Sequence, residues 1–391
     1  MLMMRNFCGG CGRKITGVNN MLLRSAASMP KTKPNYDEMP STSDYNAARR
    51  KAAPPVAVGI KLGAPAIQKQ EKPIAALRSD EWTVATSSAS PGNYLQLSKA
   101  RLSALVTVTA IGGFAMAPGL FVLPTFASCA VGTALMSACA NSYNQFLESP
   151  YDSQMKRTQA RVLVVDKISP LHAAIFGTTA GLAGFMLLWV GANPLTATLG
   201  LANVLLYAGV YTPMKRHSVA CTWAGALVGA IPPLMGYAAC CGTLDAGAFV
   251  LAGLLYAWQF PHFNGLSWNL RADYSRAGYR VMCVTDQELC RRTTLRHAVA
   301  LVGLCSVAAP LSDLTTWTFA VDSLPFNAYM VYLSYKFYKH PDAKTSRTLF
   351  RYSLIYLPAI MLLMVVSSYG RTPPKDGARP VKEAEHVEHI S

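Results

Sequence analysis

Asn141, Asn144, Glu148 and Asp152 end an otherwise apolar stretch and run directly into Lys156, Arg157 and Arg161. Residues four apart on a helix point within about 40° of each other, so Asn144 and Glu148 share a face. Asp152 would continue that face, but Pro150 removes a backbone donor and disfavours helical angles at Ser149. Asp152 is therefore expected beyond a kink or in the following loop. Oxygen donors of this kind suit Mg²⁺, a hard cation commonly shared between carboxylates and a phosphorylated substrate. The neighbouring guanidinium groups would face the remaining phosphate oxygens.

Two further segments repeat the theme. One carries His262 and Asn264, then Asn269, Arg271, Asp273 and Arg276; the other is Tyr211-Thr212-Pro213-Met214-Lys215-Arg216. Acids and arginines at helix ends also form plain surface ion pairs, so neither acidic cluster is diagnostic by itself. Two acidic clusters with three basic ones match the needs of a diphosphate bridged by a metal. An ionisable group near hydrocarbon costs about 2.5–3.5 kcal/mol on insertion scales, which makes such residues functional candidates. His262 reads equally as a satisfied core histidine or as a substrate contact.

These groups need membrane helices to position them. Of the 391 residues 51% are hydrophobic and 14% charged, and the apolar residues fall in long runs that match the roughly 20 residues a spanning helix requires. Nine candidate spans lie between Leu102 and Ser367. The net charge of +16 could suggest nucleic acid, but the cations collect in alternate loops, while the turns around Gly119, Asn193, Gly242 and Ser312 carry no Lys or Arg. That is the positive-inside pattern. It puts the N-terminus and both acidic clusters on one face and, with nine spans, the C-terminus on the other. A transporter would also place polar residues beside broken helices, yet here they gather on one side. A binding scaffold without chemistry would leave the paired acidic clusters unexplained.

Residues 1–36 contain no acid before Asp37 and scatter Arg and Lys among Ser, Met, Leu and Asn, as in a mitochondrial transit peptide. Residues 37–93 read as a polar, disordered linker, 94–369 as the membrane domain and 370–391 as a flexible tail. Cys8 and Cys11 form a C-x-x-C pair inside the presequence, where a metal role is not expected. The small residues Gly225, Ala226, Gly229 and Ala230, followed by Pro232 and Pro233, favour close helix packing and could also shape a channel.

The segments Asn141 to Glu148, Tyr151 to Thr158, Tyr211 to Arg216, Trp258 to Phe263 and Asp273 to Tyr279 together resemble the UbiA-type intramembrane prenyltransferases, in particular their heme-modifying branch. The resemblance covers roughly Tyr94 to Ser367. It implies an all-α integral membrane bundle of about nine transmembrane helices around a central cavity. It also implies farnesyl diphosphate and heme b as substrates, joined with addition of water to give heme O, and Mg²⁺ as cofactor. On this pattern Asn144, Glu148, Asp152 and Asp273 are the metal and catalytic residues. Arg157, Arg161, Lys215 and Arg276 take the diphosphate, and His262 and Asn269 are heme or cavity contacts. The implied setting is the mitochondrial inner membrane with the site on the matrix side, handing product to a heme A synthase for cytochrome c oxidase assembly. A quinone-precursor prenyltransferase is the rival within the family. Departures are Val162, where proline is expected, Ala272, where an acid is common, and His262 and Asn269, where relatives often carry acids.

Overall fold

The computed structural model describes residues 90–369. The presequence, most of the linker with its Cys8–Cys11 pair, and the tail from 370 lie outside the described residues. Within 90–369 the chain is helical, with no strand. In chain order the helices are α1 Pro91–Leu97, α2 Ala100–Met116, α3 Leu123–Asp152, α4 Pro170–Gly191, α5 Pro194–His217, α6 Cys221–Cys241, α7 Ala246–Asn269, α8 Arg271–Arg276, α9 Met282–Thr285, α10 Gln287–Leu311, α11 Trp317–Asp322, α12 Leu324–Lys339 and α13 Ala343–Tyr369.

Local sequence sets many helix starts. Ser169, Asn193, Asp245 and Asp286 each accept from the backbone N–H three residues on, at 3.2, 2.9, 3.1 and 2.8 Å, satisfying donors that a helix leaves free at its N-terminus. Pro170 and Pro194 follow two of these caps at the first helical position, where no backbone donor is needed. The helices are apolar nearly all round, and large side chains such as Leu105, Leu182, Val190, Ile355 and Val366 stay exposed. That surface suits lipid, and the helix satisfies its own backbone there.

Six helices are long and apolar enough to cross a membrane: α3, α4, α5, α6, α10 and α13. α2 is shorter, at 17 residues, and α7 and α12 are not among the six, so six of the nine expected spans are matched by length and composition among the described residues and the count of nine is not confirmed. Helices approach closely where side chains are small. A Cβ on Gly236 would lie 1.8 Å from the Ala110 carbonyl oxygen, and one on Gly113 2.1 Å from that of Pro233, which fixes α2 against α6.

Pro150 does not end α3. The helix runs through it to Asp152, correcting the expectation that Asp152 could lie in the following loop. Proline removes one donor and crowds the carbonyl four residues before it, a local cost in the preceding turn that the long helix carries.

Candidate active site

The site forms where the C-terminal ends of α3 and α5 meet the loops that follow α3 and α8. Asn144, Glu148 and Asp152 are all buried, between 1% and 4% exposed. Lys215, near the end of α5, donates to Glu148 Oε1 at 2.6 Å. Arg161 pairs with Asp152 and lies 3.8 Å from Glu148 Oε2. Asp152 is further held by the Thr158 hydroxyl, which donates to its main-chain oxygen at 2.9 Å. Its Oδ1 is buried without a hydrogen-bond partner.

α5 reaches this position through a π-helical segment, Leu205–Tyr211. Such segments insert a residue into the helical count and recur at functional sites. Below the segment's end Thr212 accepts from Asn144 Nδ2 at 3.0 Å and donates to the Tyr207 carbonyl at 2.9 Å. Lys215 lies over the Tyr211 ring, 4.4 Å from its centroid, and Gly225 leaves room for that ring, since a Cβ there would meet it at 2.8 Å.

Lys99 completes the cluster, and its role was not read from the sequence. It donates to Asn144 Oδ1 from the residue before α2, with φ of 47°. A left-handed lysine is uncommon and stores strain. Gln145 holds the preceding turn by donating to the carbonyls of Gln96 and Leu97 at 2.9 and 2.7 Å. Loss of water lowers the Lys99 ammonium to about 7; Arg161 acts in the same direction, and Glu148 opposes it. A lone lysine 45 residues from its partner carries no spacing signal, so only the positive-inside count could have drawn attention to it.

The second expected cluster arrives from the opposite wall. Asp273 pairs with Arg276 at 3.1 Å. The loop after it packs on the first cluster: Arg280 N–H donates to the Lys215 carbonyl at 2.7 Å, and the Tyr279 and Tyr151 rings lie 6.0 Å apart. Burial pushes the Tyr279 hydroxyl up, and Glu148 adds to the shift. Tyr274 is also raised by burial, with Arg157 and Lys215 opposing. Arg157 is itself exposed. Among the described residues no three of His, Cys, Asp and Glu stand together as a metal-holding group, so Asp273 is not gathered with Glu148 and Asp152. His262 stacks on Trp258 at 4.5 Å and shares a hydrogen bond of 2.9 Å with Ser353, while Asn269 donates to Ser346. Both partners belong to α13, so neither residue joins the carboxylate cluster.

Beneath Asn144 a cavity of about 90 Å³ descends between α2, α3, α5 and α6. Leu102, Val106, Met136, Val204 and Met235 make it largely apolar, and Asn141 and Tyr207 stand at its upper end. Gly229 and Pro232 also face it, so the small-residue stretch of α6 serves both packing and the cavity. Buried carboxylates, three cations and an adjoining apolar hollow can hold a charged head with a hydrocarbon tail.

The sequence matches the model of the UbiA prenyltransferase family over residues 105–356. It is 56% identical over 275 residues to the mitochondrial protoheme IX farnesyltransferase of Homo sapiens, covering 70% of this chain and 62% of that protein. It is 36% identical over 366 residues to the protein of the same name from Saccharomyces cerevisiae, covering 87% and 79%. The chain thus spans under two thirds of the human relative's length, and 65% of that from Pongo abelii. Among solved structures, a digeranylgeranylglyceryl phosphate synthase aligns with TM-score 0.62 at 14% identity, over 71% of this chain and 98% of the other. A UbiA homolog from Archaeoglobus fulgidus bound to GPP and Mg²⁺ aligns with TM-score 0.54 at 15% identity, over 70% and 99%. At such identities the solved structures speak for the fold, and the sequence match speaks for the family. The chain is a member of the UbiA prenyltransferase family.

Proposed function

We propose that this prenyltransferase moves the farnesyl group of farnesyl diphosphate to a vinyl group of heme b, with addition of water, giving heme O and diphosphate. The observation that carries the reading is the convergence of Lys99, Arg161 and Lys215 on Asn144, Glu148 and Asp152 at the mouth of an apolar cavity. The relatives' name supplies the donor and the acceptor.

The residues fit a divalent cation. Asp152 offers a buried oxygen without a partner, and Asn144 and Glu148 add oxygens of the type Mg²⁺ takes. These three would hold the ion, and Asp273 is assigned the fourth place on the family pattern alone, since it stands with Arg276. Mg²⁺ would supply positive charge against the diphosphate. The solved UbiA homolog bound to GPP and Mg²⁺ supports that cofactor.

The protein's own cations do the same work on the leaving group. Arg157, Arg161, Lys215 and Arg276, joined by Lys99, neutralise the charge that builds as the allylic C–O bond breaks and its electron pair departs with diphosphate. The apolar walls keep bulk water from the allylic cation. The terminal vinyl carbon then forms the new C–C bond, water oxygen adds to the remaining cationic carbon, and one proton is released. His262 and Asn269, held on the α13 side, are the proposed heme contacts. The relatives' mitochondrial names and the apolar helices favour a multi-pass protein of the mitochondrial inner membrane, with the site in the matrix and product passed to a heme A synthase.

The test is purified protein in detergent with heme b, farnesyl diphosphate and Mg²⁺, with Asp152→Ala alongside. Wild type is expected to form heme O only with metal, and the variant to remain inserted and inactive. Normal turnover by Asp152→Ala would remove that residue from the site. Prenylation of an aromatic acid in place of heme would move the chain to the quinone-precursor branch.

A further inference from the structure

Below the charged head the site changes character at a single ring. Asn141 precedes Asn144 by three residues on α3, about 4.5 Å along the helix axis, and the Tyr207 hydroxyl donates to its Oδ1 at 3.4 Å. The pair stands at the upper end of the apolar cavity, and Tyr207 is the one aromatic residue that lines it among the described residues. Ala140, Val106 and Val204 are in the same lining. The two tyrosines of the π-helical segment divide two tasks between them. Tyr211 carries the Lys215 ammonium over its ring at 4.4 Å. Tyr207, four residues earlier, lies 5.5 Å from Tyr211 at an interplanar angle of 30° and lines the cavity. The Thr212 hydroxyl that donates to the Tyr207 carbonyl at 2.9 Å also accepts from Asn144 at 3.0 Å. Tyr207 is thus held at its hydroxyl by Asn141 and at its backbone by the residue that meets the head.

When the allylic bond breaks, carbons C1 to C3 of the donor take up the positive charge. With the diphosphate beside Asn144, the three bonds that lead from its oxygen to C3, of ~1.5 Å each, bring that charge to the level of Asn141 and Tyr207. On the head side stand Lys99, Arg161 and Lys215, which attract the leaving group and repel a second cation. No carboxylate lines the cavity among the described residues, and its aliphatic walls offer a cation nothing. The face of a neutral aromatic ring attracts a cation through its quadrupole, most strongly where water is excluded.

We propose that Tyr207 is a further catalytic residue, its ring stabilising the allylic cation of the donor as the C–O bond breaks. This rests on the prenyl diphosphate reading of the site above. The donor carries no such charge before ionisation, so the interaction belongs to the transition state and acts on the chemical step rather than on binding. No bond to Tyr207 forms or breaks: the electron pair leaves with diphosphate, and the phenol keeps its proton toward Asn141.

The experiment uses the full-length protein in lipid nanodiscs with Mg²⁺, heme b and farnesyl diphosphate, and reads the single-turnover rate of farnesyl transfer, which separates chemistry from binding and release. Tyr207→Phe keeps the ring and Tyr207→Leu removes it. The leucine variant is expected to be slower than the phenylalanine variant by about 30-fold, while the affinity for farnesyl thiodiphosphate, measured directly without heme, stays near wild type in both. Phenylalanines of increasing ring fluorination, installed at the same position, keep the shape and withdraw electron density, and the rate is expected to fall with each added fluorine. A rate indifferent to fluorination overturns the inference, and this series decides even where the leucine variant does not insert. Equal rates for the phenylalanine and leucine variants, or a loss that appears in full in thiodiphosphate affinity, also overturn it. Failure of wild type to bind the thiodiphosphate and to turn over farnesyl diphosphate would overturn the donor reading itself, and this inference with it.

Discussion

Replacing Lys215 with methionine removes one charge and little volume, and two quantities follow from the geometry. Its ammonium stands 2.6 Å from Glu148 Oε1, with the two side chains 14% and 5% exposed. At an effective dielectric of about 20, a pair at this separation attracts by about 6 kcal/mol, much of which is offset by the desolvation of both ions. Removing one partner of a buried pair costs about 3–5 kcal/mol, because the other charge is stranded. Here Arg161 remains 3.8 Å from Glu148, so the expected loss of stability is at the lower end, about 3 kcal/mol. The double variant Glu148→Gln with Lys215→Met removes the stranded charge and should recover most of that loss. Turnover should not follow. A cation aimed at a developing negative charge accounts for about 10²–10³ in kcat, and both variants lack it. Unfolding monitored in detergent micelles alongside steady-state heme O formation separates the two effects. Recovery of turnover in the double variant, or a loss in the single variant below about threefold against the expected 10²–10³, would show that Lys215 is a structural partner of Glu148 and nothing more.

Arg161→Ala should raise the KM for farnesyl diphosphate far more than it weakens heme binding, since its guanidinium lies among the carboxylates and away from α13; equal losses in both would count against its placement. Gly236→Val should destabilise the protein by several kcal/mol, of order 3 or more for an overpacked contact with backbone, because the added carbons would meet the Ala110 carbonyl. An unchanged unfolding midpoint for that variant would contradict the packing of α2 on α6.

Membrane character and the main acidic ladder were legible because both rest on local pattern. Apolar runs mark helices, and the four-residue interval of Asn144, Glu148 and Asp152 predicts one face, which α3 supplies. Pro150 does not set the helix end, because its lost donor and ring clash act on the turn before it and leave the two residues after it free to stay helical. Lys99 was illegible for a different reason: its distance from Asn144 in sequence is bridged only by the turn that Gln145 anchors. Asp273 was grouped with the first acids by type and topology, and the partner the structure gives it is local, Arg276 three residues on.

The π-helical segment of α5 separates two kinds of tolerance. Around Gly209 a Cβ would meet nothing within 4 Å, so the identity of that residue carries little information. Its presence in the chain is another matter. Dropping one residue from Leu205–Tyr211 and closing the gap as ordinary helix would swing the following turn by about 100°, carrying Lys215 off Glu148 and Thr212 off Asn144. The arrangement of the site is thus written partly in arithmetic: Gly209 is free to vary in letter, while the segment that contains it is bound in length.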